Sequence, residues 1–201
     1  CIRDRGNRGV DFEELKWLQP GLSWSPDSKK IVFAAKAGKG DVLHVVEVET
    51  GKGEKYELDI EGVFSASWSP LGNQIAYVGQ SGNSSDIYIF DLNSQISKKI
   101  TNDIFSDSYP TWSGDGKNIA FVSDRGNKIS GEYDGFMYEH DYSQTDIYSV
   151  NVETKKIDRV TNTNHNESHP VWSKTSDNIF YTSDHNGVWN LYRHPISGSQ
   201  D

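Results

Sequence analysis

The stretch Leu22-Ser23-Trp24-Ser25-Pro26-Asp27 recurs three more times along the chain. The copies are Ala66-Ser67-Trp68-Ser69-Pro70-Leu71, Pro110-Thr111-Trp112-Ser113-Gly114-Asp115 and Pro170-Val171-Trp172-Ser173-Lys174-Thr175. The first three tryptophans stand 44 residues apart, and the fourth follows at that period plus 16 residues. A fixed period of this length marks a repeat array and moves the search for function from the strands to the loops.

Working outward from each tryptophan gives the same order of elements. Strand A carries the Trp. A turn rich in Ser, Pro, Asp, Gly and Asn follows, as at 25–30 and 113–118, and those residues favour tight reversal. Strand B is a short apolar run: Ile31-Val32-Phe33-Ala34, Ile75-Ala76-Tyr77-Val78, Ile119-Ala120-Phe121-Val122 and Ile179-Phe180-Tyr181-Thr182. Continuous apolar runs of this length fit strands covered on both faces. Strand C is centred on His44, Tyr88, Tyr148 and Tyr192, and strand D ends at Phe12, Tyr56, Ile100 and Val160. Four strands of ordinary length fill one period. One small sheet with two apolar faces must stack on others, so the expected fold is all-β, a propeller of four-stranded antiparallel blades. The four tryptophans Trp24, Trp68, Trp112 and Trp172 are then core residues wedged between blades.

The divisions are 1–13 as the outer strand of a preceding or closing blade, 14–58, 59–102 and 103–162 as blades 1 to 3, and 163–201 as blade 4 without an outer strand. Blade 3 holds the extra residues, 128–143. This arrangement fits either a ring closed by its own first strand or an arc of a larger ring. The narrow centre of a four-blade ring favours the larger one.

Composition limits the function. The chain has 201 residues, 34% of them hydrophobic and 12% aromatic, with 18 Gly. No apolar run approaches the length of a membrane helix, so no transmembrane segment is expected. The net charge is −9 and no basic stripe is present, which argues against nucleic acid, since phosphate contacts supply most of that affinity. The single cysteine, Cys1, is read either as a lipid-bearing residue or as a cut end.

The repeat motifs Trp24-Ser-Pro-Asp-Ser-Lys-Lys-Ile-Val-Phe33, Phe121-Val-Ser-Asp-Arg-Gly126 and Asp-Ile-Tyr at 86–88 and 146–148 resemble the TolB-type propeller repeat, also called WD40-like or PD40. The resemblance covers about residues 12–196. It implies a bacterial, periplasmic or otherwise extracytoplasmic protein that binds protein partners, as in an envelope complex. Similar repeats also form the propellers of prolyl-oligopeptidase and tricorn-type peptidases and of oligogalacturonate lyases, which leaves a substrate-binding or gating propeller of an enzyme as the alternative. Fold alone does not choose between them.

Antiparallel connectivity puts the B–C and D–A connections on one rim and the A–B and C–D turns on the other. Counted by rim, the first set is strongly acidic and the second net positive. A single-sign rim attracts partners of opposite sign, so a protein or peptide of basic character is expected there. The partner-binding candidates on this rim are Asp103, Asp107, Tyr109, His165, His169 and Trp189, with Glu132, Tyr133, Asp134, Phe136 and Tyr138 from the insertion. Aromatics are enriched at interfaces, and long insertions of this kind usually serve function. His165 and His169 lie on a loop rather than a helix, so their spacing does not make a metal pair, and no metal or cofactor is expected. Asp124 and Asp184 are read as carboxylates that fix the B–C turn through backbone N–H groups. No nucleophile elbow, phosphate loop or triad context is present, so the chain is expected not to be an enzyme.

Overall fold

The structure, a computed structural model, describes residues 14–15, 21–37, 40–128, 140–175 and 177–196. Each repeat closes into one antiparallel sheet because its apolar strand B pairs on both edges. Blade 1 holds β1 (Glu14–Leu15), β2 (Ser23–Trp24), β3 (Lys30–Ala37), β4 (Gly40–Glu47) and β5 (Gly53–Glu57). Blade 2 holds β6 (Gly62–Trp68), β7 (Gln74–Ser81), β8 (Ser84–Asp91) and β9 (Ile96–Lys99). Blade 3 holds β10 (Asp107–Trp112), β11 (Asn118–Ser123), β12 (Asp146–Asn151) and β13 (Ile157–Arg159). Blade 4 holds β14 (Glu167–Trp172), β15 (Asn178–Ser183) and β16 (Asn190–Pro195), and the described residues give it no fourth strand.

The register reproduces the sequence landmarks. Phe33 faces His44, Tyr77 faces Tyr88, Phe121 faces Tyr148 and Tyr181 faces Tyr192 across the B–C pair of each blade. The A–B turns close in the same way four times, each by an N–H of Ser25, Ser69, Ser113 or Ser173 donated to the carbonyl five residues on. In two of them the serine hydroxyl also donates to an aspartate, Ser25 to Asp27 and Ser113 to Asp115, both at 2.6 Å. That bond holds each carboxyl below its usual range.

The core lies between sheets, not within them. Val32, Leu43 and Val45 of blade 1 pack on Trp68, Ile75 and Tyr77 of blade 2. Ala76, Ile87 and Ile89 of blade 2 pack on Trp112, Ile119 and Phe121 of blade 3. Ala120, Val122 and Ile147 of blade 3 pack on Trp172 and Ile179 of blade 4. Each tryptophan therefore covers the blade before it. Hydrogen bonds add to the packing: Trp112 Nε1 donates to Ser67 O at 3.0 Å, and the Trp68 backbone N–H to Ser23 Oγ at 2.9 Å.

The same rule corrects the expectation for Trp24. It is 52% exposed, against 8% or 9% for Trp68 and Trp172, because no described sheet precedes blade 1. Among the described residues no strand pairing links blade 4 to blade 1, so the described sheets form an arc. The expected strand ending at Phe12 lies outside the described residues.

Candidate functional site

The B–C and D–A connections do share a rim. Ser85, where β8 leaves the B–C connection of blade 2, bridges Ser106 on the entry loop of blade 3, and its hydroxyl donates to Asp107 O at 3.0 Å. A cleft of about 370 Å³ opens between these blades, lined in part by Phe64, Gln80, Asn83, Ser106 and Asp107.

Among the described residues, most of the rim's acids, however, point inward. Arg125 is fully buried, donating to Asp107 at 2.6 Å and to Asp103 at 3.0 Å. Its guanidinium lies over the rings of Phe105, Phe121 and Tyr148. Asp103 and Asp107 thus brace the entry to blade 3 and present almost no charge to a partner, with side chains 5% and 0% exposed. This corrects their reading as partner-binding acids: a carboxylate in such a pair satisfies a buried cation. Burial pushes Asp107 up to about 6, against the pull of Arg125.

The neighbouring acids repeat the pattern. Asp86 pairs with Lys99 at 2.8 Å and Asp146 with Arg159 at 2.6 Å. Glu167, in the position of Asp107, accepts from the hydroxyls of Thr163 and Thr161 at 2.6 and 3.2 Å. Burial raises the carboxyls of Asp86, Asp146 and Glu167. Asp124 and Asp184 do accept backbone N–H groups, but from Ser106 and Asn166 on the entry loop of the same blade, at 2.9 and 2.8 Å. Their role is to brace that loop and not the B–C turn. Arg125, Arg159 and the acids they neutralise were missed as a network. The signal was present, since Asp107 and Glu167 both stand five residues before their tryptophan and Asp86 and Asp146 one residue before the apolar start of strand C.

A second cluster lies near the axis. Gly21, Ser65, Tyr109 and His169 each stand three residues before their tryptophan and together line a pocket of about 250 Å³. The last three are non-glycine residues with positive φ, at 40°, 51° and 51°, and the register of β6, β10 and β14 slips beside each. Such strain costs about 1–3 kcal/mol per residue and clusters at functional sites. Gly21 is required by space: a Cβ there would lie 2.4 Å from Ala66 N. The bulges bring the rings of Tyr109 and His169 to 4.3 Å between centroids. Tyr109 is half-buried, which raises its hydroxyl pKa, while His169 is exposed.

The two histidines of the last entry loop separate. His169 lies tilted against Tyr109 at the axis, and His165 stands against His185, 4.4 Å away at a near right angle. Trp189, immediately before β16, is 55% exposed. Glu132, Tyr133, Asp134, Phe136 and Tyr138 lie outside the described residues. The segment that follows them is tied down, with His140 Nε2 3.3 Å from the Asp124 carboxylate and its ring against Phe105 and Tyr142.

Residues 15–130 match the family model for the PD40 TolB beta propeller domain. The chain belongs to the PD40 family. Nothing among the curated proteins matches it. Among solved structures it is similar to TolB from Acinetobacter baumannii, with 22% identity, a TM-score of 0.70, and coverage of 89% of this chain and 41% of that one. It is also similar to a TolB-designated protein from Agrobacterium tumefaciens, with 20% identity, a TM-score of 0.69 and coverage of 90% and 59%. The oligogalacturonate lyase of Vibrio parahaemolyticus aligns at 14% identity and a TM-score of 0.59, over 90% of this chain and 52% of that one. This PD40 chain therefore spans between two fifths and three fifths of the length of these structures, and the likenesses establish the propeller fold.

Proposed function

We propose that this PD40 propeller is a non-catalytic protein-binding module of the bacterial envelope, and that it takes a segment of its partner at the axial end of the loop rim. The observation that carries this reading is the set of equivalent positions at the axis. Ser65, Tyr109 and His169 hold left-handed backbone that glycine would adopt at no cost, yet two of them carry large rings that meet over a pocket. A strained position that keeps an aromatic side chain is what a preorganised contact surface requires. Asp59 and Glu61 remain exposed on the entry to blade 2 and give the outer part of the same rim a negative charge, which suits a basic segment. The TolB likeness agrees with a protein partner outside the cytoplasm.

The test is capture from bacterial envelope extract by the immobilised chain, comparing wild type with Tyr109→Gly/His169→Gly. Glycine accepts positive φ without strain, so the variant keeps its fold while losing both rings. The expected result is loss of the captured protein by the double variant and its retention by Ile96→Ser, an exposed change on the opposite rim. Equal capture by all three would refute the axial site. Retention of only a small peptide or an oligosaccharide would turn the reading to the substrate-binding propeller of an enzyme.

A further inference from the structure

Two register positions recur at each blade junction, one just before the apolar start of strand C and one five residues before the next tryptophan. At the junction of blades 1 and 2 they hold Val42 and Val63, both buried. At that of blades 2 and 3 they hold Asp86 and Asp107, and a cation reaches each, Lys99 and Arg125. At that of blades 3 and 4 they hold Asp146 and Glu167, which are 0% and 1% exposed. Arg159 pairs with Asp146 there, and among the described residues no second cation joins it. His185 stands where the repeat puts Arg125, but it is exposed, with its ring against that of His165.

Hydrogen bonds hold the two acids close. The Glu167 N–H donates to Thr145 O, next to Asp146, at 2.9 Å. Thr161 Oγ1 accepts from the Ile147 N–H at 2.8 Å and donates to Glu167 Oε2 at 3.2 Å. The other donors that reach Glu167 are the neutral hydroxyls of Thr163 and Ser183. Asp146 gives Oδ2 to Arg159, while its Oδ1 is buried with no donor. Two carboxylates and one guanidinium leave one negative charge, which is costly in so dry a place. A proton between the carboxyls removes that charge and supplies the donor that Oδ1 lacks. Burial raises both carboxyls, and the Asp146 charge raises Glu167 further. The other titratable groups facing the pair are Tyr148 on β12 and Tyr181 on β15, with Asp124 and Arg125 behind Tyr148. Burial keeps both phenols neutral.

We propose that a single proton shared by Asp146 and Glu167 latches blade 4 onto blade 3, and that its loss as pH rises loosens this junction. The folded pair holds its proton to higher pH than the unfolded chain does, so the latch is closed at low pH and weakens upward. Tyr109 and His169 face each other across the same junction, and His169 follows Glu167 by two residues. The latch thus sets how firmly the axial cluster is assembled, whatever that cluster binds.

Hydrogen exchange, corrected for the intrinsic rate, tests this from the ordinary glutamate value of 4.5 up to about pH 8. The opening constants of β14 and β15 should rise about tenfold or more across this range, while that of β6, at the valine junction, rises less. Glu167→Gln keeps the shape without the charge, and Asp146→Asn leaves a single acid for Arg159. Each variant should flatten the response of β14 and β15, and calcium chloride should leave the wild-type response unchanged. A flat response in the wild type overturns the proposal, as do two variants that respond like wild type. Protection restored at high pH by calcium would also overturn it, by showing that the pair closes on a cation and not on a proton.

Discussion

Arg125 is the residue on which the rim turns. A fully buried guanidinium between two carboxylates and three rings costs little while every partner is present. Removing one partner leaves a charge in a medium that cannot solvate it. Arg125→Met should therefore destabilise the chain by about 3–5 kcal/mol, read as a lower urea midpoint at unchanged slope. A loss below about 1 kcal/mol, the scale of a surface ion pair, would show that the network is solvated. The same trio predicts a pH dependence. Asp107 rises from an ordinary 3.8 to about 6 on folding, so between these values the folded chain holds a proton that the unfolded chain releases. Stability is then highest below about pH 4 and falls as pH rises to about 6, by about 3 kcal/mol at most for a shift of this size. Asp107→Asn, which mimics the protonated form, should flatten that part of the profile. Asp86, Asp146 and Glu167 are raised by burial as well, and they leave a residual slope of the same sign. Unfolding free energies measured from pH 4 to 7 decide it, and identical profiles for variant and wild type would contradict the assignment. None of this was legible from charge counts, because Arg125 reaches its acids across 18 and 22 residues of chain. Counting by loop treats such groups as surface.

At the scale of elements the sequence spoke most clearly where a residue type recurred at one register. The B–C pairing opposite each tyrosine or histidine and the four serine-led turns follow from the period alone, since each blade solves the same packing problem. The tryptophans share a position but not an environment, because burial depends on whether a neighbouring sheet is present. Trp68→Ala, Trp112→Ala and Trp172→Ala should each cost about 3–5 kcal/mol, the range for emptying a packed aromatic site. Trp24→Ala, half exposed, should cost under about 1 kcal/mol, as an exposed substitution does. Chemical denaturation of the four single variants separates the two classes, and equal losses at all four positions would mean that Trp24 is covered in solution.

For the whole molecule, the antiparallel rule placed the B–C and D–A connections on one rim, as found. What it could not place was the axial cluster, since positive φ at Ser65, Tyr109 and His169 arises from register slips that no propensity encodes. The arc itself sets the last prediction. In an array where each unit contacts only its neighbours, stability is a sum of unit and interface terms, and local opening follows the number of interfaces each unit keeps. Among the described sheets, blades 2 and 3 are covered on both faces, and blades 1 and 4 on one. Amides of β7, β8, β11 and β12 should therefore exchange most slowly. Those of β15 and β16 should exchange at least tenfold faster, a gap of about 1.4 kcal/mol or more in opening free energy. Hydrogen exchange at low protein concentration measures this directly. Uniform protection at low concentration would mean that the four sheets open as one unit, so that the interface terms, and not the count of covered faces, govern the stability of the arc.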